Sequence, residues 1–227
     1  MLQYTHGSDV TGASMSDFLT LYEHVRTHKP REILEFGTGV SSVVLAHALL
    51  ENATEGEPLG RVTSMEEDLY WHDKAADNLS AEHKNIIDLV HSPKVDGFYK
   101  LFRGVRYTHI PERPYDFVFS DGPERHSPVN NDKLFDLDLI LIVLRSKRPI
   151  YAIVDNHYLT FYILQKVFGI KNARYSVSHR LMFVGPVNAD QARHLRKENF
   201  VPDLRLCSPT ELKLRMALDE EEPPARG

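Results

Sequence analysis

Four short segments of this chain carry side chains whose types and spacing suit chemistry. The first is Glu35-Phe36-Gly37-Thr38-Gly39-Val40-Ser41-Ser42, where an apolar run ends in a glycine pair and a second apolar stretch begins. Glycine there admits positive φ and lets a ligand approach the backbone. Helix-start N–H groups just after it suit an anionic group. A phosphate loop is excluded, because no Gly-Lys-Ser/Thr follows. The dinucleotide fingerprint G-x-G-x-x-G fails at its third glycine, which is Ser42 here. The Glu35 carboxyl, at the end of a buried strand, is costly unless something pairs with it.

The second segment is Met65-Glu66-Glu67-Asp68. An acid just past a strand can accept two hydrogen bonds from a ribose diol, and Glu66 is the residue placed to do so. Glu67 and Asp68 are expected to face solvent or cap the following helix. The third and fourth segments are Ser120-Asp121-Gly122-Pro123 and Val154-Asp155-Asn156-His157. Each places an aspartate after a strand. Asp121, Asp155 and the Asn156 amide oxygen are hard ligands suited to Mg²⁺ or a similar divalent ion. Read without a ligand, Asp121-Gly122-Pro123 is a turn and Asp155-Asn156 a helix cap.

These segments share one site only if a sheet brings them together. Runs at 32–36, 61–65, 86–91, 115–120 and 150–154 read as strands. Helices are expected between them: one starting near an N-cap at Ser16, then 41–50, 68–79, 133–145 and 159–168. Strands at 174–178 and 180–184 have hairpin spacing. The expected fold is α/β, doubly wound, with a mostly parallel seven-stranded sheet and an antiparallel strand added at one edge by the terminal hairpin. The organisation expected is one domain over 1–188, a helical extension over 189–218 and a disordered tail over 219–227. Ligands of such sheets bind beyond the carboxyl ends of the strands.

With these segments in place, ILEFGTGVSS resembles the first motif of the class I S-adenosylmethionine-dependent methyltransferases, a Rossmann-like family. The two later aspartates resemble those of its cation-dependent O-methyltransferase branch, the catechol and caffeoyl-coenzyme A type. The resemblance runs from about Ser16 to Gly185. It implies that the glycine turn cradles the methionine end of S-adenosyl-L-methionine. The implied cofactor contacts are Glu35, Gly37, Thr38, Gly39, Ser41, Ser42, Glu66 and Asp121. It also implies metal ligation by Asp121, Asp155 and Asn156, with the cation lowering the pKa of an acceptor hydroxyl. The branch carries a lysine three residues after the strand-four aspartate, as base. This chain has Glu124 there, followed by Arg125 and His126. His126 and His157, with Asp121, are then the catalytic candidates.

The implied function is methylation of a small-molecule hydroxyl. The alternatives are an NAD(P)-dependent oxidoreductase, disfavoured by Ser42, and a catalytically inactive methyltransferase-like binding module. A net charge of −5 argues against a general nucleic-acid partner. Cys207 is the single cysteine, so no intrachain disulfide forms. No membrane association is expected, and with no signal-peptide pattern the expected location is cytoplasmic. The aromatic run Phe98, Tyr99, Phe102 and Tyr107 lines an acceptor pocket or makes a satellite core. The tail helices are expected to dock back on the domain or to form a homodimer contact.

Overall fold

The computed structural model describes residues 15–100, 102–155 and 157–193. Its main sheet has seven strands: β1 (Glu32–Phe36), β2 (Arg61–Glu66), β3 (Ile87–His91), β6 (Phe117–Ser120), β8 (Ile150–Val154), β9 (Ala173–Ser176) and β10 (Leu181–Val187). The spatial order is β3-β2-β1-β6-β8-β10-β9. All neighbours run parallel except β10, which is antiparallel to both β8 and β9. The strand order reverses at β1, between β2 and β6, which is where a doubly wound sheet opens a crevice for ligands. The hairpin differs from expectation in one respect. Its antiparallel strand lies inside the sheet, and β9 takes the edge, parallel to β8 in direction.

The helices are α1 (Met15–His28), α2 (Val40–Thr54), α3 (Leu69–Asn78), the short α4 (Ala81–Lys84), α5 (Asp138–Arg145), α6 (Tyr158–Phe168) and α7 (Ala189–Arg193). Period-two alternation of the strands builds a core on each sheet face. Ile33, Phe117, Phe119, Ile153 and Leu181 pack with α1 and α2. Leu34, Phe36, Val118, Val154 and Met182 pack with α5 and α6. The α1 stripe is as the spacing predicts, with Phe18, Leu21 and Val25 buried. Met15 is already helical, so Ser16 lies inside the first turn rather than at the cap.

Between β3 and β6, where the sequence predicts no strand or helix, the chain begins a second sheet. Strands β4 (Lys94–Tyr99) and β5 (Phe102–Tyr107) form an antiparallel hairpin, and β7 (Phe135–Asp136) pairs with β5. Periodicity alone predicts a helix from 133, but α5 begins at Asp138, because Phe135 and Asp136 are taken into this ladder. The hairpin turn has Lys100 at φ 57 and lacks the Asn-Gly pair that marks such turns. The aromatic run divides between its faces. Phe98 is exposed, whereas Tyr99 and Tyr107 are buried in the core that Phe102 packs against. The short α7 docks on the domain: Ala192 is fully buried and its carbonyl accepts a hydrogen bond from Tyr99. The remaining tail expectations, helices to 218 and disorder after it, lie outside the described residues. Among the described residues no helix is long and apolar enough to cross a membrane.

Candidate active site

The glycine turn sits at the carboxyl end of β1, at the strand-order reversal. Its two glycines have different reasons to be there. Gly37 has φ 88, and a Cβ on it would lie 3.2 Å from the Gly122 nitrogen. The reverse contact is tighter, since a Cβ on Gly122 would lie 2.9 Å from the Gly37 nitrogen. These glycines let the β1 and β6 loops touch. Gly39 is extended at φ 176, which any residue adopts. A Cβ there would meet only the Ser41 hydroxyl, at 3.9 Å. Neither backbone strain nor crowding within the chain explains this glycine. It faces open space at the start of α2, so of the pair only Gly37 uses the positive φ that glycine permits.

Glu35 holds the turn from beneath. It is fully buried, and its carboxyl accepts hydrogen bonds from the Ser42 hydroxyl and, at 2.6 Å, from Ser64. Burial raises its pKa to about 7. Ser42 is itself buried, and its hydroxyl accepts the Gly39 N–H at 3.2 Å. With no exposed surface, Glu35 acts on the turn through Ser42. Tyr107, from the inserted sheet, reaches the same place: Gly37 N–H donates to its phenolic oxygen at 3.1 Å. Burial and the nearby Glu67 carboxylate push the Tyr107 hydroxyl well above its usual pKa.

Glu66 ends β2 beside the turn. Its carboxylate accepts the N–H groups of Thr38 at 3.3 Å and Asp68 at 3.0 Å. Burial, then repulsion from Glu67 and Asp68, raises its pKa to about 7. Asp68 caps α3, as expected, accepting Tyr70 N–H at 2.8 Å. Glu67 is not solvent-directed. It accepts the Glu124 N–H at 2.7 Å and so ties the β2 loop to the loop after β6.

Asp121 and Asp155 follow neighbouring strands and are brought together. The Asp121 N–H donates to Phe36 O and the Asp155 N–H to Ser120 O, each at 2.9 Å, which fixes both at one level. The Asp155 carboxyl is close enough to act on that of Asp121. Burial first, then the Asp155 carboxyl, pushes Asp121 up to about 8. Asp121 therefore keeps its proton at neutral pH, as a buried carboxyl beside another acid does unless a cation separates them. Asn156 lies outside the described residues. Among those described, no group of three or more His, Cys, Asp or Glu could hold a metal ion.

The two candidate histidines occupy different surroundings. His126 is exposed, with Nδ1 on Glu124, and no hydrogen bond or ion pair joins it to Asp121 or Asp155. Glu124 is in turn bound by the Lys94 ammonium, which also donates to its backbone carbonyl at 2.8 Å. A lysine from β4 thus stands against Glu124, although none follows Asp121 in sequence. His157 is buried at the start of α6, its Nδ1 2.8 Å from Asp136 Oδ2. The Thr160 hydroxyl donates to the same oxygen at 3.2 Å. Asp136 acts through space on Asp121 as well. Asp136, Tyr107 and Lys94 all belong to the inserted sheet. Sequence reasoning missed their roles because that sheet was not expected.

No family model matches the chain, and no curated protein matches it. Solved structures do. A methyltransferase from Geobacter sulfurreducens is 13% identical, with 83% of this chain and 86% of that one covered and a TM-score of 0.50. An O-methyltransferase from Bacillus cereus in complex with SAH is 18% identical over 81% of this chain and 86% of that one, with a TM-score of 0.48. The strand order, the single antiparallel strand and the likeness to the Geobacter protein together give the chain the Rossmann-like methyltransferase fold.

Proposed function

We propose that this protein is an S-adenosylmethionine-dependent methyltransferase acting on a hydroxyl of a small molecule. The observation that carries the reading is Gly39, a glycine whose own chain gives no reason for it, beside Glu66 at the strand-order reversal. A dinucleotide site would place a third glycine where Ser42 stands. Ser42 instead fixes the turn through Glu35.

The residues fit S-adenosylmethionine as follows. The space over Gly39 and the start of α2 receive the methionine carboxylate. Glu66 exchanges its backbone N–H partners for the ribose hydroxyls. Thr38 and Ser41 lie along the turn, and Asp121 stands at the mouth. Bound there, the sulfonium supplies an activated methyl group for in-line displacement by an acceptor oxygen. The protein's part is to hold that oxygen in line and remove its proton.

Asp121 and Asp155 supply two anionic oxygens suited to a hard divalent cation such as Mg²⁺, with Asn156 as the third protein ligand. A cation there would lower the pKa of the acceptor hydroxyl. His157 is the stronger base candidate. Asp136 and Thr160 fix its ring, and Asp136 holds Nδ1, leaving Nε2 to accept a proton. His126 is tied to Glu124 at the surface.

S-adenosylmethionine and S-adenosylhomocysteine should each raise the melting temperature in a concentration-dependent way by mass action. NADH should not. Activity assayed with and without EDTA, beside elemental analysis of the purified protein, tests the cation. Full activity in EDTA with no bound metal would remove it from the mechanism.

A further inference from the structure

A second charged region lies at the opposite ends of the same strands. A cavity of about 480 Å³ is lined by Arg113, Tyr115, Ile142, Arg145, Lys147 and Arg148, with Glu112 as its one acid. Residues 111–116 lead into β6 and residues 146–149 into β8, so the cavity opens at the amino ends of the two central strands. The glycine turn and the paired aspartates lie at their carboxyl ends. At ~3.3 Å per residue, the strands alone separate the two places by roughly 13 Å.

Four cations surround this cavity in a chain whose net charge is −5. Arg113 is spoken for: its guanidinium binds Asp88 at 2.6 Å and approaches Glu32 at 4.0 Å. Arg145 donates only weakly, at 3.4 and 3.5 Å, to the carbonyls of Ile110 and Pro111; it acts through space on buried Asp138 but forms no ion pair among the described residues. Lys147 and Arg148 are exposed and form no ion pair among the described residues. Arg148 acts through space on Asp116, whose oxygens are already occupied by the Arg31 and Glu32 N–H groups. The carboxyl end of α5 is nearby and offsets part of the positive field, but Ser146 N–H already caps Ile142 O at 2.9 Å. Behind the cations the wall is apolar, with Tyr115 and Ile142 buried. A low-dielectric wall strengthens the field that gathered cations present to an anion. Guanidinium groups suit phosphate oxygens in bidentate geometry, and the ammonium of Lys147 adds a point charge. With Arg145, Lys147 and Arg148 set against Glu112 alone, the lining carries a surplus of two positive charges, which a single negative charge would not balance.

We propose that this cavity is a second ligand site, remote from the glycine turn, for a compound bearing two or more linked phosphate groups. Calorimetric titration of the full chain with inorganic tripolyphosphate and with orthophosphate tests it. The expected result is saturable one-to-one binding of tripolyphosphate, with orthophosphate weaker. The double variant Lys147→Ala/Arg148→Ala should weaken tripolyphosphate at least ~10-fold, as expected when charge-assisted contacts are removed. Lys171→Ala, an exposed cation elsewhere, should change nothing. S-adenosylhomocysteine affinity should be the same in all three proteins. Absence of saturable binding at millimolar tripolyphosphate, or unchanged affinity in the double variant, would overturn the proposal. Should the double variant fail to fold, amide shifts on the wild-type protein decide. Shifts centred on 111–116 and 145–149 support the site, and shifts confined elsewhere reject it.

Discussion

The two ends of β6 and β8 carry opposite charge. Their carboxyl ends present Asp121 and Asp155, with Glu35, Glu66, Glu67 and Asp136 close by. Their amino ends present Arg113, Arg145, Lys147 and Arg148. The strands between carry no charged side chain and, Tyr151 apart, are buried, so neither region neutralises the other. Sheets have small net dipoles. The asymmetry therefore comes from side chains at the ends of the elements and in the loops between them, and the net charge of −5 describes neither end. One end suits a ribose diol, a sulfonium and a cation, and the other a polyanion.

Breaking the acidic end should have the larger consequences. Gly39→Val should reduce S-adenosylhomocysteine affinity at least ~100-fold, since the side chain would fill the ligand's space and overpacking costs about 1–3 kcal/mol or more. Its melting temperature should barely move, because the backbone is extended and no protein atom crowds the site. An equal loss of stability and affinity would show that the glycine serves the fold. Asp155→Ala should lower methyl transfer by about 10²-fold or more, a size typical of lost electrostatic stabilisation at a reacting centre. It should keep S-adenosylhomocysteine affinity within a few-fold. Parallel loss of both in titration and turnover assays would place Asp155 in cofactor binding. Glu66→Ala should weaken S-adenosylhomocysteine by roughly 10- to 100-fold, the worth of hydrogen bonds to a charged group.

Stability should respond to the same acids. Glu35, raised to about 7, and Asp138, raised to about 8, are both buried. The folded chain therefore holds protons that the unfolded chain releases near pH 4–4.5. Stability from these groups is complete below that range and is lost as pH rises through 7 and 8. Half-buried His24, lowered to about 4, works oppositely, and its contribution is gained as pH rises from 4 to its ordinary 6.5. Because two acids outweigh the one histidine, the contribution of these groups should fall from about pH 5 upward, and the ligand-free protein should melt higher at pH 6.5 than at pH 8.5. Glu35→Gln should flatten the alkaline side. A melting temperature that climbs from pH 6.5 to 8.5 would contradict the burial of these acids.

The regular part of the molecule was legible and the inserted part was not. β1 and β8 lie where their apolar runs predict, and Asp121 and Asp155 meet because β1, β6 and β8 are neighbours. Apart from Glu32 and Tyr151 those strands are buried, so the apolar signal is nearly continuous. β4 and β5 are half-exposed, and their turn uses Lys100 in a left-handed conformation that no glycine or asparagine announces. Missing that hairpin hid Tyr107 under the turn, Lys94 on Glu124 and Asp136 on His157. Glu35 shows another limit. Sequence placed it at the turn, but only packing shows that it serves Ser42 and Ser64.

The most direct test of the central claim is a calorimetric titration of the full chain with S-adenosylhomocysteine and, separately, with NADH. The site described here predicts one S-adenosylhomocysteine per chain and no NADH bound at millimolar concentration. Binding of NADH without S-adenosylhomocysteine would contradict it.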